Sequence, residues 1–301
     1  MIYMVKTMTK LLSDGNYRSA GRSDTGRKEG KMITKVVDIC TDHSTAKLYT
    51  YFLDNSPEMD IDRKRPLVLV CPGGGYEFTS DREAEPIALQ MCARGFHSCV
   101  LRYNIAPERF PTAIWELAAS VAWLRAHAEE YHIDADNITI CGFSAGGHLV
   151  TSLSTFWNRE FLHRVTGLTA EQIRPNRLIA SYPVITSGEY AHRGSFNALL
   201  GEKAEDPEML EFVSLEKQVT EDMPPAFIWH TFSDDCVPVE NSLMLANAMR
   251  KANVPFELHI FPEEPHGLAL ANEQTDSGDG NMIRRECAAW IDMAADWIRR
   301  G

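Results

Sequence analysis

The chain has 301 residues, 44% hydrophobic and 24% charged, a balance that supplies a sizeable globular core. Its formal net charge of −12 argues against nucleic acid or an anionic membrane as partner. No apolar run approaches the roughly 20 residues of a membrane-spanning helix, and no continuous hydrophobic segment near the N-terminus marks a secretory signal.

Residues 1–31 carry basic, Ser and Gly residues and read as a loosely ordered leader, with Met32 as a candidate start of a single domain over 32–301. Two strand-like runs follow, Thr34–Cys40 and Ala46–Leu53, joined by a polar turn at Thr41–Ser44, which predicts a hairpin. Pro66–Cys71 is a continuous apolar run, as expected of a central parallel strand covered on both faces. Pro72-Gly73-Gly74-Gly75-Tyr76 comes directly after it. Ser80-Asp81-Arg82-Glu83 then reads as a capping box, with Ser80 as N-cap, opening a helix that stops near Gly95.

His97–Tyr103 is the next strand, and the helix after Pro111 sets Ile114, Leu117, Val121, Leu124 and Ala128 on one face. A turn at Asp134–Asn137 leads into Ile138-Thr139-Ile140-Cys141, a β-branched run that ends in Gly142-Phe143-Ser144-Ala145-Gly146 and opens into a helix towards Phe156. Leu178–Tyr182 is a strand closed by Pro183. Residues 185–225 show no strand pattern; short helices at Ser195–Leu200 and Asp206–Leu215 suggest a lid over a site. Strands at Ala226–His230 and Phe256–Phe261 bracket a helix at Val239–Ala252, and a helix over Met282–Arg299 turns Ile291, Ala294, Ala295 and Ile298 inward. Strands alternating with helices predict an α/β fold, a mostly parallel sheet with helices on both faces.

Gly-Phe-Ser-Ala-Gly fits the nucleophile elbow G-x-S-x-G, in which a strained serine projects from the sheet top at a helix N-terminus. A serine hydroxyl needs a base, and the base needs an orienting acid. In this arrangement the acid and then the histidine follow the serine in the chain. The strand ending at His230 leads to Asp234 and Asp235, and the strand ending at Phe261 leads to His266 in a Pro/Gly-rich loop. His266 is therefore the predicted general base. Asp234 is preferred as the acid over Asp235 by its spacing before Val237-Pro238.

The oxyanion donors are predicted to be the backbone N–H of Ala145 and those of the glycine loop, Gly73 and Gly74 foremost. The loop lacks the spacing of a phosphate cradle. Tyr76 beside it is a candidate pocket residue, with core packing as the alternative. Arg82, Glu83 and Glu85 read as capping and helix-surface residues, and His148 as a buried structural histidine. There is no H-E-x-x-H and no Cys/His cluster, so neither metal nor cofactor is expected. The 7 cysteines include no C-x-x-C pair, and Cys71, Cys99 and Cys141 fall in or at the ends of apolar runs. Reduced structural thiols and a cytoplasmic location are the expectation.

With these residues in view, Thr34–Arg300 resembles the α/β-hydrolase superfamily, and within it the bacterial acetyl esterase or xylan esterase-like carboxylesterases. The narrower likeness rests on Pro72–Tyr76, Arg82–Pro86, Gly142–Leu149, Val237–Ser242 and His266-Gly267-Leu268. Pro72 departs from the H-G-G-G loop of related lipases, which leaves open which glycines donate. The resemblance implies a serine esterase that removes short acyl groups, foremost acetyl, from sugars or oligosaccharides. A feruloyl esterase and a prolyl-oligopeptidase-like peptidase are the alternatives, the peptidase being the less expected because no propeller domain is seen in these 301 residues. The oligomeric state is not written in the sequence, and a homo-oligomer is compatible with it.

Overall fold

A computed structural model describes residues 32–39, 44–262 and 265–300. The predicted leader over 1–31 and most of the predicted hairpin turn lie outside these. The strands are β1 (Met32–Asp38), β2 (Lys47–Leu53), β3 (Arg65–Cys71), β4 (His97–Arg102), β5 (Ile133–Phe143), β6 (Arg177–Ser181), β7 (Ala226–Thr231) and β8 (Phe256–Phe261). They form one 8-stranded sheet in the order β1-β2-β4-β3-β5-β6-β7-β8. β1 pairs antiparallel with β2, as the hairpin reading expects, and β2 antiparallel with β4. Every other pairing is parallel.

The helices are α1 (Glu85–Ala93), α2 (Thr112–Ala126), α3 (Ala145–Phe156), α4 (Glu160–Thr166), α5 (Ala170–Ile173), α6 (Arg193–Leu200), α7 (Pro207–Phe212), α8 (Glu240–Lys251), α9 (Arg285–Ala288) and α10 (Trp290–Arg300). Alternation along β3 shows how they are layered. Leu67, Leu69 and Cys71 join one core with Leu117 of α2, Leu153 of α3 and Leu245 of α8. Val68 and Val70 join the other with Ile87 of α1 and Trp290 and Ile298 of α10. Successive strand side chains point to opposite faces, so a strand apolar at every position must be covered on both.

Two expectations change. β5 runs straight through the turn predicted at Asp134–Asn137, and the register against β3 shifts between Arg65 and Leu67 instead. The C-terminal helix is shorter than predicted and split in two. Its expected first residues are tied elsewhere: Arg284 N–H donates to Ala271 O at 2.8 Å and Met282 N–H to Asp276 Oδ1 at 3.1 Å. Among the described residues no helix is long and apolar enough to cross a membrane.

Candidate active site

β5 delivers Ser144 to the C-terminal edge of the sheet, and α3 begins at the next residue. Ser144 has φ 52° and ψ −118°, a backbone conformation that L-residues avoid unless the surroundings enforce it. The enforcement is visible on both sides. Ser144 N–H donates to Ser181 O at 3.0 Å, while its carbonyl accepts from Val184 N–H at 3.0 Å and His148 N–H at 3.1 Å. Glycine is required around it by close approach. A Cβ on Gly142 would sit 2.2 Å from Gly146 O, and one on Gly146 2.2 Å from Cys71 O. The hydroxyl therefore stands at the positive end of α3, where developing negative charge is favoured.

The loop after β8 brings His266 to this serine. Nε2 of His266 lies 2.8 Å from Ser144 Oγ, and Nδ1 lies 2.7 Å from Asp234 Oδ2. The carboxylate comes from the loop after β7 and is held on both oxygens. Oδ1 accepts from the N–H groups of Cys236 (2.9 Å) and Val237 (2.8 Å), and Oδ2 lies 3.3 Å from Nε2 of the buried His230. Burial alone would raise the Asp234 carboxyl. The hydrogen bonds from His230 and His266, with the charge of His266, outweigh it and hold the group well below the usual carboxylate range. Among the described residues, Asp235 accepts His266 N–H at 3.4 Å. The structure thus brings together Ser144, His266 and Asp234, and leaves Asp235 at the side.

Of the predicted oxyanion donors, Gly73 is a correction. Its N–H donates to Glu83 Oε2 at 2.8 Å and is not free for substrate. The N–H groups of Gly74 and Ala145 have no acceptor among the described residues. Gly73 itself packs against Ser144, since a Cβ there would stand 2.9 Å from Ser144 Cβ. Gly74 has φ +126°, and a Cβ would meet Phe78 O at 2.2 Å.

Glu83 is the residue that sequence reasoning missed. The predicted capping box does not form: Ser80 makes no side-chain cap, and residues 81–83 are a short 3₁₀ turn. The Glu83 side chain instead enters the core, 4% exposed, where Oε1 accepts the Tyr182 hydroxyl at 2.7 Å. Tyr182 Oη in turn accepts Ala269 N–H at 3.0 Å, and its ring meets the His266 ring edge-on at 5.0 Å. One carboxylate therefore ties the glycine loop to the loop that carries the histidine. A continuous match to a capping box hid it; a cue was available in Tyr182, which ends a core strand and needs a partner for its hydroxyl.

Tyr76 takes the packing role. It is 3% exposed, and its hydroxyl lies 2.9 Å from His148 Nδ1. His148 Nε2 lies 2.9 Å from Val213 O, so the ring donates there and accepts from Tyr76. Burial pushes the His148 imidazole down to about 4, despite the bond to Val213. This chain of contacts fastens the glycine loop, α3 and the segment before β7. That segment contains α6 and α7 and no strand, as predicted.

The chain matches the sequence profile of the BD-FAE family over residues 54–249. It is similar to endo-1,4-beta-xylanase B of Butyrivibrio fibrisolvens, 39% identical over 72% of this chain and 34% of that protein. It is also similar to an acetylxylan esterase of Xylanibacter ruminicola, 29% identical over 67% of this chain and 41% of that one. The chain spans about a third to two fifths of the length of these two relatives. Among solved structures, an acetyl ester-xyloside bifunctional hydrolase from Caldicellulosiruptor lactoaceticus superposes with a TM-score of 0.72 at 33% identity, over 92% of this chain and 98% of that one.

Proposed function

The chain belongs to the BD-FAE family and has the α/β-hydrolase fold, and from that premise we propose that it is a serine carboxylesterase. In this reading Ser144 Oγ attacks the acyl carbon while His266 Nε2 takes its proton. Asp234 holds the imidazole in the tautomer with its proton on Nδ1 and stabilises the imidazolium that forms. The tetrahedral oxyanion is received by the N–H groups of Gly74 and Ala145. His266 then protonates the leaving alcohol oxygen, and water cleaves the acyl-enzyme by the same route in reverse.

The observation that carries the reading is the unbroken relay of 2.8 Å from Ser144 to His266 and 2.7 Å from His266 to Asp234. Sugar or oligosaccharide acetates are the proposed substrates. Their support is the likeness to an acetylxylan esterase and to an acetyl ester-xyloside hydrolase. Xyloside cleavage is not proposed for this site, because glycosidases need two carboxyl groups free to act on the bond. Asp234 is committed to His266, and Glu83 to Gly73 and Tyr182.

The test is hydrolysis of a chromogenic acetate ester by the full chain and by Ser144→Ala. Loss of a triad member is expected to cost about 10⁴- to 10⁶-fold in kcat. An alanine variant with undiminished turnover would remove Ser144 from the mechanism. Rates on acetyl, butyryl, feruloyl and acetylated xylo-oligosaccharide esters then rank the acyl and alcohol groups, with the acetylated oligosaccharide expected first.

A further inference from the structure

His192 precedes α6 in the segment between β6 and β7, and its side chain is only half used by the fold. Nδ1 accepts Ser195 N–H at 3.2 Å and lies 2.8 Å from Ser195 Oγ, which caps the helix. A ring nitrogen that accepts carries no proton, so the proton of the neutral imidazole is on Nε2. No acceptor for that Nε2–H is found among the described residues. Ser, Asp or Asn would cap as well, so the cap gives no reason for a second donor.

The placement of the ring suggests a use. Ser195 Oγ lies 3.9 Å from where a Cβ on Gly75 would stand, so the His192–Ser195 pair sits beside the loop that carries Gly74. Burial lowers the half-buried His192 imidazole, and the charges of His266, Asp234 and Glu77 also act on it. His266 must return its proton to the leaving oxygen, so the alcohol half of an ester lies on the His266 side of Ser144. A donor beside the glycine loop, on which the charge of His266 acts, is placed to meet that half.

We propose that His192 is a positioning residue for the alcohol half of the substrate, its Nε2–H donating to a hydroxyl or ring oxygen of the sugar beside the scissile ester. This rests on the sugar-ester reading above. The cap and the donor are separable by substitution: His192→Ser keeps a side-chain oxygen for Ser195 N–H and removes the Nε2–H.

The measurement is the ratio of kcat/KM on an acetylated xylo-oligosaccharide to kcat/KM on an aryl acetate, which has no sugar to position. In His192→Ser, with thermal unfolding checking the fold, the ratio is expected to fall about tenfold, mainly through KM, the effect of one lost hydrogen bond. His192→Asn, which retains a cap and an N–H donor, is expected to recover part of the ratio. An unchanged ratio in His192→Ser overturns the assignment, whether both rates fall together, as for a purely structural histidine, or both hold. If the unaltered protein cleaves the aryl acetate but not the oligosaccharide acetate, the sugar-ester reading fails first and this inference goes with it.

Discussion

Asp234 and Asp235 are neighbours with the same charge, and the surroundings give them different work. Asp234 is fixed by two backbone N–H groups and two imidazoles, while among the described residues Asp235 accepts His266 N–H at a long 3.4 Å. Asp234→Asn is expected to lower kcat on an aryl acetate by about 10⁴-fold, because an amide no longer enforces the tautomer that leaves Nε2 free to accept the serine proton. Asp235→Asn should leave kcat within about threefold, since only a long backbone contact is altered. Equal losses in the two variants would mean that the loop, rather than one carboxylate, orients the histidine. The spacing before Val237-Pro238 pointed to Asp234 from the sequence alone. What spacing could not reveal was His230, buried on β7 with Nδ1 2.8 Å from Ser242 Oγ, as a further contact of the acid.

At the scale of elements, β3 was legible because it is covered on both faces and so reads as an almost unbroken apolar run. The apolar parts of β5, β6 and β7 were legible for the same reason, whereas the polar first half of β5 read as a turn. The elbow was legible because close packing at Gly142 and Gly146 admits no side chain. The short segment Ser80–Glu83 misled, because its pattern satisfies a local rule while its partners lie across the fold at Gly73 and Tyr182. Local pattern holds no record of such long-range pairing. Glu83→Gln replaces one accepting oxygen with an amide NH₂, so either Gly73 N–H or the Tyr182 hydroxyl loses its acceptor. The glycine loop then shifts relative to Ser144. A displacement of this kind is expected to reduce kcat by about 10²-fold with a smaller change in KM. If the variant melts lower yet turns over at the original kcat, Glu83 braces the fold without setting the donor geometry.

Across the whole molecule, buried titratable groups away from the relay set how stability responds to acid. His97 on β4 is fully buried, with Leu53 N–H donating to Nδ1 at 3.1 Å and His132 O 3.2 Å from Nε2. Burial pushes both His97 and His148 from 6.5 down to about 4. Between those values the unfolded chain binds two protons that the native protein refuses, so the two histidines make the fold less stable as pH falls. Glu116 on α2 opposes them. Burial pushes it from 4.5 up to about 7, against hydrogen bonds from Ser44 and Asn104, so the native state keeps a proton that the unfolded chain has lost. Its contribution declines as pH rises through the same interval. Two protons against one leaves the unfolded state the net binder, and His192, also lowered, adds in the histidines' direction. Stability in urea unfolding is therefore expected to rise from pH 4.5 to 6.5 by on the order of 1 kcal/mol per pH unit. Glu116→Gln removes the opposing proton and should steepen that rise to roughly twice the slope, with the remaining charges common to both proteins. A slope that is flat in the unaltered protein and unaffected by Glu116→Gln would mean that these three side chains titrate in the folded state as they do in water.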